Sequence, residues 1–138
     1  RLADRTRDLQ LLAEAREKAA IEAVYVDSQG WVREGTTSNL FAFFGGTLVT
    51  PGEGILSGIT RQKVLGLAEG NYTVQIRDLQ RGELVAADEV FITSSNRLIV
   101  PIVQVDEEAI GTGTPGGRTC ALMQTFAEYT ARLSATRE

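Results

Sequence analysis

Glu34 stands where a β-rich stretch breaks into Gly, Thr, Ser and Asn, within GWVREGTTSNLFAFFGGTLVTP, residues 30–51. A carboxylate at such a break is either an exposed acid at a strand end, since Glu is almost never buried without a partner, or an acid that a cofactor site requires at that place. The segment SGIT, residues 57–60, also has two readings. Ser57 is an ordinary helix cap, or the backbone amides of a helix start are left free to bind an anion. TSSN, residues 93–96, is a polar turn between strands or a set of hydroxyl donors for a phosphate.

Few other groups are available for chemistry. The chain has no histidine and a single cysteine, Cys120, which excludes a Ser-His-Asp triad, a Cys-His pair, most zinc sites and an internal disulfide. The only lysines, Lys18 and Lys63, lie in the helix-like stretches EAREKAA and TRQKVL, where a solvated amine is the expected state.

The elements that must position these residues follow from periodicity. Residues 4–20 are rich in strong helix formers, with Leu9, Leu12, Ala13 and Ala20 at helical spacing and Asp4 as N-cap. IEAVYV, the turn DSQG and WVREG predict a hairpin, and SNLFAFF with TLVT predict two further strands about a Gly-Gly turn, all in one meander. The Gly-dense PGEGILSGIT opens onto a helix starting near Gly58 or Ile59 and ending at Gly70. Beyond it YTVQIRDL predicts a strand, QRGELVAA a short helix, EVFITSS a strand and RLIVPIVQV another, with Pro101 marking an edge or a bend. After GTGTPGG a last helix runs from about Arg118, with Leu122, Phe126, Tyr129 and Leu133 on one face. The order predicts an α+β domain in which helices flank a mostly antiparallel sheet.

Composition bounds the function. A chain of 138 residues fits one domain with a real core, and 43% hydrophobic with 23% charged residues is ordinary for a folded domain. A formal net charge of −4 offers no basic field for nucleic acid. No apolar run reaches the roughly 18 residues of a membrane span, and RLADRTRDLQ lacks a signal-peptide core, so a cytoplasmic location is expected. The first residue is Arg1, which predicts a processed chain or a piece of a longer one.

The blocks VDSQGWVREGTTSNLF, LVTP, GILSGITRQKVLGLA, ADEVFITSSNRLIVPIVQVD and IGTGTPGGRT stand in this order across nearly the whole chain. Together they closely resemble the large C-terminal domain of class IV aminotransferases, the fold type IV pyridoxal-phosphate enzymes, which include branched-chain and D-amino acid aminotransferases and aminodeoxychorismate lyase. The resemblance implies a single large domain over residues 1–138, an antiparallel sheet or pseudo-barrel flanked by helices, and no small N-terminal domain within the chain. It implies that Glu34 contacts the pyridine nitrogen of pyridoxal 5'-phosphate, and that the amides of Ile59 and Thr60 with the hydroxyls of Thr60 and Ser95 form the phosphate cup. Thr36 and Thr37 match the loop near the substrate. The family's Schiff-base lysine falls by register just ahead of Arg1, so no catalytic residue is assigned and the chain alone is expected to be inactive. The resemblance further implies amino acid and keto acid substrates and a homodimer. An aminodeoxychorismate-lyase-like enzyme, or a non-catalytic cofactor-binding or assembly domain, are the alternatives.

Overall fold

The computed structural model describes residues 24–26, 28–35, 38–52, 58–95 and 98–136. The predicted helix over residues 4–20 lies outside them. Ten strands are described: β1 (Val24–Val26), β2 (Trp31–Gly35), β3 (Asn39–Phe44), β4 (Thr47–Thr50), β5 (Thr73–Ile76), β6 (Leu79–Gln80), β7 (Glu89–Ser94), β8 (Leu98–Ile102), β9 (Gln104–Val105) and β10 (Glu108–Ala109). The helices are α1 (Ile59–Ala68), α2 (Arg81–Val85) and α3 (Gly117–Thr136).

The strands form a five-stranded sheet in the order β5-β4-β3-β7-β8, a three-stranded sheet β1-β2-β6 and the small pair β10-β9. Among the described residues every pairing is antiparallel except β4 with β5, where α1 carries the chain over to a parallel neighbour. The architecture is α+β, as predicted, but the β-region is not one meander. The β1-β2 hairpin leaves the main sheet and pairs with β6, so two sheets form, and no described pairing closes them into a barrel. Two predicted strands are also broken. YTVQIRDL divides into β5 and β6, and RLIVPIVQV into β8 and β9. Pro101 lies on β8, an edge strand, where a missing N–H costs no ladder bond. The C-cap of α1 is Glu69 rather than Gly70, which sits in the following turn.

The near-continuous apolar sequence NLFAFF follows from burial on both faces of β3. Leu40 and Ala42 turn one way, with Val49, Val90 and Ile92, onto Val32, Leu79 and Leu84 of the β2-β6-α2 side. Phe41 and Phe43 turn the other way, with Leu48 and Phe91, onto Val64 and Ala68 of α1 and Leu122 and Phe126 of α3. The hairpin between β3 and β4 turns at Gly45, whose φ of 60° suits glycine. Asp88 fastens this turn, accepting the Gly45 N–H at 2.6 Å while its own N–H donates to Phe43 O at 2.9 Å. Among the described residues no helix is long and apolar enough to cross a membrane.

The start of α3 is capped from the sheet. Glu89, 7% exposed on β7, accepts the Thr119 N–H at 2.7 Å through Oε1 and the Arg118 N–H at 3.1 Å through Oε2. A carboxylate there satisfies two orphan donors and complements the helix dipole. Gly116 has no room for a side chain, because a Cβ would run into the Glu89 carboxylate. Removing the acceptor leaves those N–H groups without it, so Glu89→Ala is expected to cost about 2 kcal/mol. The loss would be read as a lower urea midpoint with an unchanged denaturant slope.

Candidate cofactor site

The segments SGIT and TSSN meet in space. Thr60 is the second residue of α1, and its hydroxyl donates to Ser94 O, at the end of β7, at 3.3 Å. Ser95 follows in an exposed turn. On the other side, Asn39 at the head of β3 accepts the Gly58 N–H through Oδ1 at 3.1 Å. Gly58 is the N-cap of α1, with φ −74° and ψ 158°, and has no side chain to cap with. The first intrahelical bond runs from Gln62 N to Gly58 O, so the helix holds no acceptor for the amides of Ile59 and Thr60. Ile59 is 71% exposed, and the Thr60 hydroxyl contact sets the start of α1 against the end of β7.

Arg61 completes the helix start. It is 6% exposed and donates through Nη2 to Pro51 O, just past β4, at 3.0 Å. Burial pushes the guanidinium pKa down, yet a guanidinium remains charged at neutral pH. A buried cation in the first turn of α1 adds to the positive end of the helix dipole, which favours an anion in front of it. Leu98, the first residue of β8, has φ 58°, a left-handed conformation that costs a side-chain-bearing residue roughly 1–2 kcal/mol.

Glu34 lies on β2, next to a register shift. Val24 pairs with Gly35 and Val26 with Val32, so Arg33 and Glu34 together oppose Tyr25. The extra residue makes a β-bulge, a device that re-aims side chains beside functional sites. Arg33 is anchored by Asp78 at 3.0 Å, which ties this part of β2 to the approach to β6. The described residues do not include the Glu34 side chain, and Thr36 and Thr37, expected near the substrate, lie outside them, as does Ser57.

Of the predicted cup residues, Thr60 meets the end of β7, and Ser95 is the next residue along the chain. The Thr60 hydroxyl differs from expectation in one respect. Its single proton is directed at Ser94 O, so a contact to a phosphate through that hydroxyl requires it to turn. Lys63 is remote in role: its Nζ lies 3.0 Å from Tyr129 Oη and 5.4 Å from that ring's centre, a surface contact between α1 and α3. Two contributors escape the sequence reading, Asn39 and Arg61. Both stand within the quoted motifs, but only the folded contacts reveal them.

A family model for class IV aminotransferases matches residues 2–105. The chain belongs to the class IV aminotransferases. It is 38% identical over 109 residues to a probable branched-chain-amino-acid aminotransferase of Aquifex aeolicus, covering 76% of this chain and 35% of that protein. It is 37% identical over 115 residues to D-alanine aminotransferase of Bacillus licheniformis, covering 81% of this chain and 40% of that one. The branched-chain amino acid aminotransferase of Thermobaculum terrenum, solved in its PLP-form, superposes with a TM-score of 0.86 at 32% identity, covering 93% of this chain and 43% of that chain. The class IV chain described here therefore spans less than half the length of these relatives.

Proposed function

We propose that this domain holds pyridoxal 5'-phosphate in an enzyme that moves an amino group between an amino acid and a 2-keto acid. The observation that carries the reading is the Thr60–Ser94 contact, which joins the helix-start amides to the hydroxyl-bearing turn. The donor set fits a phosphate. Its oxygens would give acceptors to the Ile59 and Thr60 amides, which have none in the helix, and Ser95 adds a hydroxyl beside them. Bound there, the cofactor supplies an electron-withdrawing ring that stabilises negative charge at the amino acid's α-carbon.

The domain's own residues orient and tune that ring. The cup would fix the phosphate end, and Glu34 would meet the ring nitrogen, where a carboxylate favours the protonated form. Thr36 and Thr37 would border the substrate on the strength of the family resemblance alone. On this reading neither Lys18 nor Lys63, the lysines of these 138 residues, would serve as the Schiff-base lysine. The enzyme would work as a homodimer on the same reading, for which family membership is the support.

Labelling tests this division of labour. Mixed with the cofactor and reduced with borohydride, the chain alone is expected to show only scattered, substoichiometric modification of Lys18, Lys63 or the amino terminus, and no transaminase turnover above free cofactor. Stoichiometric labelling of Lys18 or Lys63 that Glu34→Ala abolishes would overturn it.

A further inference from the structure

We infer that Asn39 is a positioning residue of the phosphate cup, fixing the direction of the helix-start amides by holding the N–H of Gly58; the inference rests on the reading of the cup given above. Asn39 is 6% exposed and begins β3, paired with Thr93 of β7 in the interior of the five-stranded sheet. Its Oδ1 accepts the Gly58 N–H at 3.1 Å. The contact is close on both sides: a Cβ on Gly58 would lie 2.9 Å from that same oxygen.

The consequence is a division of the donors at the helix start. Gly58, the N-cap, gives its N–H to the sheet, while the amides of Ile59 and Thr60 keep theirs for a ligand. A side chain capping the first turn in the usual way would accept one of the N2 or N3 amides and compete with an anion. Asn39 instead holds the residue just before those amides and competes for none of them. Thr60 to Ser94 O and Arg61 to Pro51 O tether the next residues to β7 and to the end of β4. Three residues of the turn are thereby referred to the main sheet, and Asn39 supplies the only one of these three contacts made by a sheet side chain. Amides held in a fixed direction bind an anion without ordering cost at the moment of binding.

The test compares two ligands on the same chain. Dissociation constants of pyridoxal 5'-phosphate and of pyridoxal, which lacks the phosphate, are measured by equilibrium dialysis for the unaltered chain, Asn39→Ala and Asn39→Thr. Threonine favours strands and lacks the amide oxygen that accepts the Gly58 N–H. The unaltered chain is expected to prefer the phosphate-bearing ligand, and both variants to lose about tenfold of that preference with pyridoxal affinity unchanged. An unfolded fraction weakens both ligands alike and leaves the ratio intact. An unaltered ratio in the variants, including a parallel loss of both affinities, overturns the role of Asn39 and leaves the cup standing. No preference in the unaltered chain overturns the cup itself, and the inference with it.

Discussion

Glu34→Ala, made in a longer protein that carries this domain together with its Schiff-base lysine, is expected to lower transaminase turnover by roughly 10²- to 10³-fold, the range for loss of one preorganised electrostatic contact. The cause is local. On the role proposed for Glu34, a ring nitrogen without a carboxylate opposite it would lose its preference for the proton, and an unprotonated ring is a weaker electron sink. Glu34→Gln should fall nearly as far, because the amide keeps the shape and loses the charge. The position argues for a specific role: Glu34 sits in the two-against-one bulge opposite Tyr25, with Arg33 tied to Asp78, rather than in a regular surface ladder. Turnover at saturating cofactor and substrate is the measurement. A rate within about threefold of the unaltered enzyme would remove Glu34 from the mechanism.

The second large effect is on stability. Phe91→Ala is expected to cost about 3–5 kcal/mol, since a fully buried aromatic ring is removed from a core that collapses only in part. Phe91 lies directly opposite Phe41 across the β3-β7 pair, their rings stacked with centroids 4.7 Å apart and planes 7° from parallel. Phe43 approaches the same ring at 6.0 Å, and Val64, Leu122 and Phe126 of the two long helices cover the cluster. Against a total stability of about 5–15 kcal/mol, such a loss leaves a marginal fold. Phe41→Ala should behave alike, and the double variant should cost about 0.5–1.5 kcal/mol less than the sum of the two, reporting the stacked pair. Additive losses in denaturant titrations would show that the two rings act independently.

The helix starting at Ile59 was legible because Gly58 precedes a run with Val64, Leu67 and Ala68 at helical spacing, a pattern that burial against β7 and α3 reinforces. The strand TVQI was legible for its β-branched residues, but not its parallel register beside β4. Pairing partners depend on contacts between distant segments, and local propensity carries no record of them. The meander failed for the same reason. WVREG and NLFAFF are close in sequence, yet one pairs with β6 and the other with β7, a choice made by which apolar face each strand can bury.

The sequence by itself determined the family, through motif blocks in a fixed order: an acid before Gly-Thr-Thr, SGIT at a helix start, and hydroxyls in TSSN. Only the tertiary structure decided how those blocks meet. It placed Ser94 O at the Thr60 hydroxyl, Asn39 at Gly58 and Arg61 at Pro51. These contacts join residues 10 to 34 positions apart, so they form only once the sheet has brought its strand ends to the start of α1. Side-chain type is local information, whereas the direction in which a free amide points is a property of the packed chain.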